Sequence, residues 1–466
     1  MSEKTISQVL ITTGETVQTS VIYCGDCQRV LPQSIPDKSI DLIYVDPPFF
    51  SNRYYEVLWG DGYELRAFED RWKSGGIQNY IAWMEPKIRE CQRTLKSTGS
   101  FYIHSDWHAS HYLKVLCDEI FGYNNFINEI IWKRSVAHSD TKQGAKHLGR
   151  LHDTILLYAK GDKFTFNMSY QEQDPEYLEN FYKHIEPETG RRYMLDNIAG
   201  PGGAAKGNPM YEFLGVKRYW RFSEEKMKQM YEEGKIIQTK PGTVPRQKRY
   251  LDENPGISLQ DIWMDIGSIQ SQSKERLGYP TQKPIELMTR IIELSSDPGD
   301  IVLDPMCGCG TTIVAAHKLK RKWIGIDVSP TACKLMSDRM RKLGVHGVTM
   351  EGLPKTIDEI RNLQPFEFQN WICQKVFARV SERKIGDMGI DGWMMDGRPL
   401  QIKQSDSIGR NVVDNFETAI KRVKKNKGII IAFSFGKGAM EEVARVKNAE
   451  SVEIELKTVD DIMNEN

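Results

Sequence analysis

No apolar run in this 466-residue chain approaches the roughly 20 residues that a membrane-spanning helix needs. The opening residues Met1-Ser2-Glu3-Lys4 lack the pattern of a signal peptide. No membrane partner is expected, and the cytoplasm is the expected compartment. Net charge is also missing: 63 basic residues offset 63 acidic ones. Global charge therefore gives no support for nucleic-acid binding, and any such surface must come from local clustering. The eight cysteines are too few for a disulfide framework in a chain of this length. Internal repeats and low-complexity tracts are absent. With 40% hydrophobic and 27% charged residues, the composition is that of an ordinary globular protein with two or three domains.

Against that plain background one stretch carries chemistry. The apolar run Ile40-Asp41-Leu42-Ile43-Tyr44-Val45 reads as a buried strand and closes on Asp46-Pro47-Pro48-Phe49. A carboxylate there can accept one hydrogen of an exocyclic amine, and a carbonyl before a proline can accept the other. Proline offers no N–H to interfere and stiffens the turn, while Phe49 can stack on a flat base. The same four residues also suit a plain strand-ending turn, so the rest of the chain must decide.

Residues 20–160 alternate short strands (Val21 to Tyr23, Ser100 to Ile103, Glu129 to Trp132, Thr154 to Tyr158) with helical patterns at Trp83 to Leu95 and His111 to Phe121. The alternation predicts a parallel α/β sheet. It breaks down over residues 161–270, which mix Gly, Pro, Tyr and charge. That stretch sets cations beside rings in Lys217-Arg218-Tyr219-Trp220-Arg221 and Arg246-Gln247-Lys248-Arg249-Tyr250. Such segments can track phosphates and stack bases, or simply be solvated. The α/β pattern resumes with a helix at Ile285 to Ser295, a strand at Asp300 to Asp304, a helix at Thr312 to Leu319 and a strand at Trp323 to Asp327.

Between the second of these strands and its helix lies Asp304-Pro305-Met306-Cys307-Gly308-Cys309-Gly310-Thr311-Thr312. Glycines there let the backbone turn tightly and approach a ligand. An acid one βαβ step later, Asp327, suits the ribose hydroxyls of an adenosine-type cofactor. Cys24-Gly25-Asp26-Cys27 and Cys307-Gly308-Cys309 have metal-like spacing, but their intervening residues have better uses, and reduced structural thiols are expected. His104, His108 and His111 also tempt a zinc reading. His104 sits at a strand exit, however, so capping and packing roles are expected instead.

The order of these parts resembles the β-class amino-methyltransferases of DNA: Gly25-Asp26, then Asp46-Pro47-Pro48-Phe49, a middle insert, Thr281-Gln282-Lys283-Pro284 and a late glycine loop. Residues 151–160 fit the same pattern. The resemblance covers about residues 20–340. It implies a Rossmann-like, S-adenosylmethionine-dependent methyltransferase fold with a mixed, mostly parallel α/β sheet over residues 1–350, and a target-recognition insert at 161–270. It also implies catalytic roles for Asp46, Pro47, Pro48 and Phe49. Asp26, Lys283, Asp304, Gly308, Gly310, Thr311 and Asp327 would bind the cofactor. Met306 departs from the family, which usually has Phe there. Asp at position 46 points to adenine N6, with cytosine N4 as the alternative. DNA is the implied substrate, in a prokaryotic or phage restriction–modification setting. A cognate restriction endonuclease and a second copy of the chain are candidate partners.

Residues 355–466 read as a separate unit with the pattern helix, two strands, helix, strand, helix, strand from residue 366 on. Gly386-Asp387-Met388-Gly389-Ile390-Asp391-Gly392 precedes Leu400-Gln401-Ile402-Lys403. An acid on one strand and Gln-x-Lys on the next can assemble a divalent-metal site, with Asp391 and Gln401 as ligands and Lys403 orienting water. This resembles the Mrr-type branch of the PD-(D/E)xK restriction-endonuclease-like superfamily, which would use Mg2+ and take Glu367 as a candidate upstream acid. A degenerate fold kept for DNA binding is the alternative.

Overall fold

The computed structural model describes residues 17–50, 53–58, 64–70, 76–135, 146–270, 272–277, 279, 281–381 and 389–464. Met1 to Lys4 and Gly386, Asp387 and Met388 lie outside the described residues. Among the described residues no helix is long and apolar enough to cross a membrane.

The first body is built on a nine-stranded sheet. Its elements in chain order are β1 (Val21–Cys24), α1 (Cys27–Ser34), β2 (Ile40–Val45), α2 (Gly76–Thr94), β3 (Leu95–Ser105), α3 (Ser110–Phe121), β4 (Phe126–Lys133), β5 (His152–Ala159), β6 (Ile262–Trp263), α4 (Ile285–Ser295), β7 (Ile301–Asp304), α5 (Thr311–Lys318), β8 (Lys322–Asp327), α6 (Pro330–Lys342) and β9 (Thr349–Glu351). The strand order is β6-β4-β5-β3-β2-β7-β8-β1-β9. Only β5 runs against its neighbours, pairing antiparallel with β3 and β4. Strands such as β2 are buried on both faces, with Leu42, Ile43, Tyr44 and Val45 at most 2% exposed. That explains why they read as unbroken apolar runs.

The sheet order places the chemistry. β2, β7, β8 and β1 are adjacent and parallel. Their carboxyl ends therefore lie along one edge, where open α/β sheets bind ligands. Asp46, Asp304, Asp327 and Asp26 stand at or just beyond those four ends, in the same order.

Residues 168–260 form a compact unit of their own, narrower than the predicted 161–270 and far from structureless. A four-stranded sheet holds Ile236–Ile237, Arg246–Tyr250, Arg192–Asn197 and His184–Ile185. A hairpin pairs Met210–Phe213 with Val216–Tyr219. Ile198, Phe213, Trp220, Met227, Met230 and Ile236 make its core.

The C-terminal segment has its own five-stranded sheet. It runs α7 (Pro365–Lys375), β10 (Ala378–Val380), β11 (Gly392–Met394), β12 (Pro399–Lys403), α8 (Arg410–Arg422), β13 (Lys427–Ala432), α9 (Lys437–Glu450), β14 (Glu453–Thr458) and α10 (Val459–Asn464). A third early strand, β10, joins the two expected. Alternation along β13 sends Ile429 and Ile431 into one core with Phe368 and Ile372 of α7, and Ile430 into another with Phe416 and Ala439 of α8 and α9. The segment is not detached from the methyltransferase-like body. Both belong to one compact unit, joined where Lys334 of α6 donates to Gln374 of α7 at 2.6 Å.

Candidate functional site

A cavity of about 450 Å³ opens at the carboxyl edge of β1, β2, β7 and β8. Asp46, Pro47, Pro48 and Phe49 line it, as do Asp26, Lys283, Asp304, Gly308, Thr311 and Asp327. Ten of the eleven residues expected from sequence for catalysis and cofactor binding are thus brought to one space. Gly310 is the exception among the lining residues. It sits at the N-cap of α5 with φ 77°, and a Cβ there would lie 2.6 Å from Cγ of Met336. Its task is to turn the loop and let α6 approach.

Asp46 occupies the end of β2 with its two oxygens in different circumstances. Oδ2 accepts from Lys283 Nζ at 2.5 Å. Oδ1 is buried and has no hydrogen-bond partner among the described residues, which marks an acceptor awaiting a donor. Lys283, assigned from sequence to the cofactor side, is 8% exposed and serves Asp46 directly. Its ammonium also lies 5.0 Å from the centre of the Phe49 ring.

The ring itself is held from behind. His104, at the end of β3, stacks on Phe49 with centroids 5.6 Å apart and planes at 27°. Tyr44 Oη lies 2.8 Å from His104 Nδ1 and Asp153 Oδ2 3.3 Å from Nε2, and Arg134 pairs with Asp153 at 2.8 Å. Burial, and then the nearby Lys283 charge, hold the imidazole pKa below its usual value. His104 is thus packed within this buried group, and His108 bonds locally to Asp106 at 2.8 Å. No spacing in the sequence marks Tyr44, His104 and Asp153 as a unit.

The glycine loop is pinned by two acids. Asp304 Oδ1 accepts the N–H of Met306 at 3.1 Å. Asp327 accepts the N–H of Gly308 at 2.8 Å and that of Ser329 at 2.9 Å. Gly308 has φ 50°, and a Cβ on it would stand 3.1 Å from the Tyr279 ring. Burial pushes the Asp304 carboxyl up to about 7 and that of Asp327 up to about 6. Asp46 and Asp327 add their negative charge to the first. A cavity edged by Asp26, Asp46, Asp304 and Asp327 favours a ligand carrying positive charge. Asp26 caps α1 by accepting from Gln28 N at 2.9 Å. Buried Lys87 stands 3.6 Å from it and 4.0 Å from the Trp83 ring centre. Trp83, Lys87 and Tyr279 line the cavity and carried no sequence signal.

One expectation needs correction. In the insert, Trp220 is fully buried and its indole N–H donates to Tyr211 O at 3.0 Å, while Tyr250 donates to Glu186 at 2.8 Å. Neither ring is presented for base stacking. Lys248 pairs with Glu186 at 2.8 Å and Arg249 with Asp196 at 2.7 Å. Lys217 and Arg246 remain exposed for phosphates. In the C-terminal segment, Glu367, the candidate upstream acid, packs against α6 of the first body. Its Oε2 accepts from Thr331 of α6 at 3.5 Å, and burial pushes its carboxyl up to about 7.

Asp391 is tied to β12 across the β11–β12 hairpin. Asp391 N–H donates to Leu400 O at 2.8 Å and its Oδ2 accepts from Ile402 N at 2.7 Å. Gln401 is 3% exposed, and its Oε1 has no partner among the described residues. Lys403 follows on the same face of β12. Among the described residues, the one group of three His, Cys, Asp or Glu side chains close enough to share a metal ion is Asp414, Glu417 and Glu442, which does not include Asp391. Arg410, Lys421 and Arg445 already pair with those acids.

A family model described as DNA methylase matches residues 40–338. The type II methyltransferase M.EcaI of Enterobacter cloacae is 33% identical over 313 residues, 66% of this chain and 65% of the relative. This chain therefore spans just under two thirds of that protein's length. The DNA adenine methyltransferase YhdJ of Escherichia coli (strain K12) is 28% identical over 323 residues, 68% of this chain and 81% of the relative. Among solved structures, the cytosine-N4-specific PvuII DNA methyltransferase aligns with 73% of this chain and 99% of its own at 14% identity and a TM-score of 0.37. The matched family region takes in well over half of the chain, including the strands that carry Asp46, Asp304 and Asp327; the chain belongs to the N6/N4 DNA methylase family.

Proposed function

We propose that this protein transfers a methyl group from S-adenosylmethionine to the N6 amine of adenine in DNA, as the modification arm of a restriction–modification system. The observation that carries the reading is the buried, unpartnered Oδ1 of Asp46 in the same cavity as Asp304 and Asp327. A cofactor with a sulfonium and an ammonium suits this acid-edged space. When bound, it supplies an electrophilic methyl group. Asp327, and Asp26 near the head of α1, would hold its adenosine part, and Asp304, Gly308 and Thr311 its amino-acid end.

The chain's own residues prepare the amine. Asp46 Oδ1 accepts one amine hydrogen, and a carbonyl of the Pro47–Pro48 turn accepts the other. Held this way, the nitrogen loses conjugation with the ring and keeps its lone pair free to attack. Lys283 on Oδ2 neutralises part of the carboxylate charge in a poorly solvated site. Phe49, steadied by His104, stacks on the base. The amine proton leaves after transfer, so Asp46 need not be a strong base. A base inside duplex DNA must first be flipped out, at about a few kcal/mol. Residues 168–260 would read the sequence, with Lys217 and Arg246 among the phosphate contacts.

Asp46 and the name of YhdJ favour adenine; cytosine N4 is the competing target. Single-molecule sequencing of DNA from cells expressing the chain reports base and site together. N6-methyladenine at one short motif supports the proposal, and N4-methylcytosine or no modification defeats it.

A second reading concerns residues 355–466. The three strands after α7, with Asp391 accepting from Ile402 N beside Gln401, support a restriction-endonuclease-like domain that would cut unmodified DNA using Mg2+. Unmethylated plasmid incubated with Mg2+ should be cut by the native chain and spared by Lys403→Ala. Intact plasmid in both reactions leaves the domain as a DNA-binding module.

A further inference from the structure

The cavity that would hold the cofactor is not closed by the methyltransferase-like body alone. Gln364, the residue before α7, belongs to its lining. Gln364 is exposed at the mouth, and its side chain makes no capping hydrogen bond to the helix it precedes. The helix does not consume this amide, which leaves it available to a ligand.

One turn on, Glu367 enters the body. It is 3% exposed, and its Oε1 has no partner among the described residues. Its other oxygen takes the Thr331 hydroxyl, and Ser329 is a further hydrogen-bond partner. Ser329 both caps α6, accepting from Ala332 N at 3.1 Å, and donates its N–H to Asp327. Gln374 reaches the same Thr331 at 3.4 Å and takes a hydrogen bond from Lys334. The seat of Asp327 is thus continuous, through Ser329 and Thr331, with the first turns of α7.

We infer that the C-terminal domain completes the cofactor site, Gln364 giving a polar contact to the adenosine end and Glu367 holding the Asp327 loop, so that cofactor binding and the docking of α7 are linked. The inference rests on the methyl-donor reading of the cavity. Whatever ligand the cavity holds would tighten α7, and whatever loosens α7 would weaken the ligand by the same factor. The methyltransferase-like body would then sense the state of the domain behind it.

Calorimetric titration of the full-length chain with S-adenosylmethionine tests this without reference to activity. Because Gln364 is exposed, Gln364→Ala should fold as the native chain does. It should bind about 3- to 10-fold more weakly, the worth of one neutral hydrogen bond. Hydrogen exchange of the native chain should show the amides of Pro365–Lys375 slowing when the cofactor is added. Native affinity in Gln364→Ala, or unchanged exchange in that helix on saturation, overturns the inference while leaving the methyl-donor reading intact. A native chain that does not bind S-adenosylmethionine defeats both.

Discussion

Asp304→Asn should make the ligand-free protein more stable, and the gain should depend on pH. In the unfolded chain this carboxyl ionises near 3.9; in the fold, burial pushes it up to about 7. Between those values the folded state holds a proton that the unfolded state has lost, so stability falls as pH rises through the window. Above pH 7 both states are ionised and the loss is complete. A difference of roughly 3 pKa units at 1.36 kcal/mol each sets an upper bound of about 4 kcal/mol. Asparagine does not ionise and keeps an oxygen for the Met306 N–H that Asp304 now accepts. Urea unfolding of both proteins at pH 4, 6 and 8 should show near equality at pH 4 and a gain of about 2–4 kcal/mol at pH 8. The same variant should bind S-adenosylmethionine at least about 10-fold more weakly, because the buried charge that costs stability is the one that receives the ligand's positive end. A destabilised variant with the same deficit at every pH would refute the assignment of Asp304 as a strained, ligand-directed acid.

Other variants separate the roles around the cavity. Phe49→Ala removes the stacking face and should lower kcat/KM on DNA by about 10- to 100-fold, the worth of one base–aromatic stack. Its cofactor affinity should stay within about twofold, and an equal loss in both would place the ring on the cofactor instead. Gly310→Ala forces a side chain into a φ of 77° and sets its Cβ 2.6 Å from the buried Met336. Denaturant unfolding should show a loss of about 2–4 kcal/mol; native stability would show that the loop can relax.

The sequence was most readable where chemistry is local. The strands ending at Asp46, Asp304 and Asp327 are short apolar runs, and the loops after them hold the prolines and glycines that a tight approach to a ligand demands. What brings those loops together is strand order, a non-local property. No spacing in the sequence says that β2 lies beside β7, with 237 positions between Asp46 and Lys283. The Tyr44–His104–Asp153 relay was hidden for the same reason, its members being 60 and 49 positions apart. In the insert, rings next to cations looked like a base-stacking surface. Such runs are equally the signature of a small β unit that buries Trp220 and Tyr250 and pairs Lys248 and Arg249 with its own acids. β10 escaped notice because Ala378–Val380 is three residues long. Glu367 was read in the right helix, but a helix does not announce which neighbour its faces will meet.

The central claim is that Asp46 clamps an exocyclic amine and does not bind the cofactor. It is tested by supplying S-adenosylmethionine labelled on its methyl group, with unmethylated DNA, to the native chain and to Asp46→Ala, while measuring cofactor affinity for both. The account predicts label in the native reaction as N6-methyladenine, none with Asp46→Ala, and cofactor binding kept by both proteins, because Asp26, Asp304 and Asp327 remain in the variant's cavity. Turnover near the native rate in Asp46→Ala would contradict it.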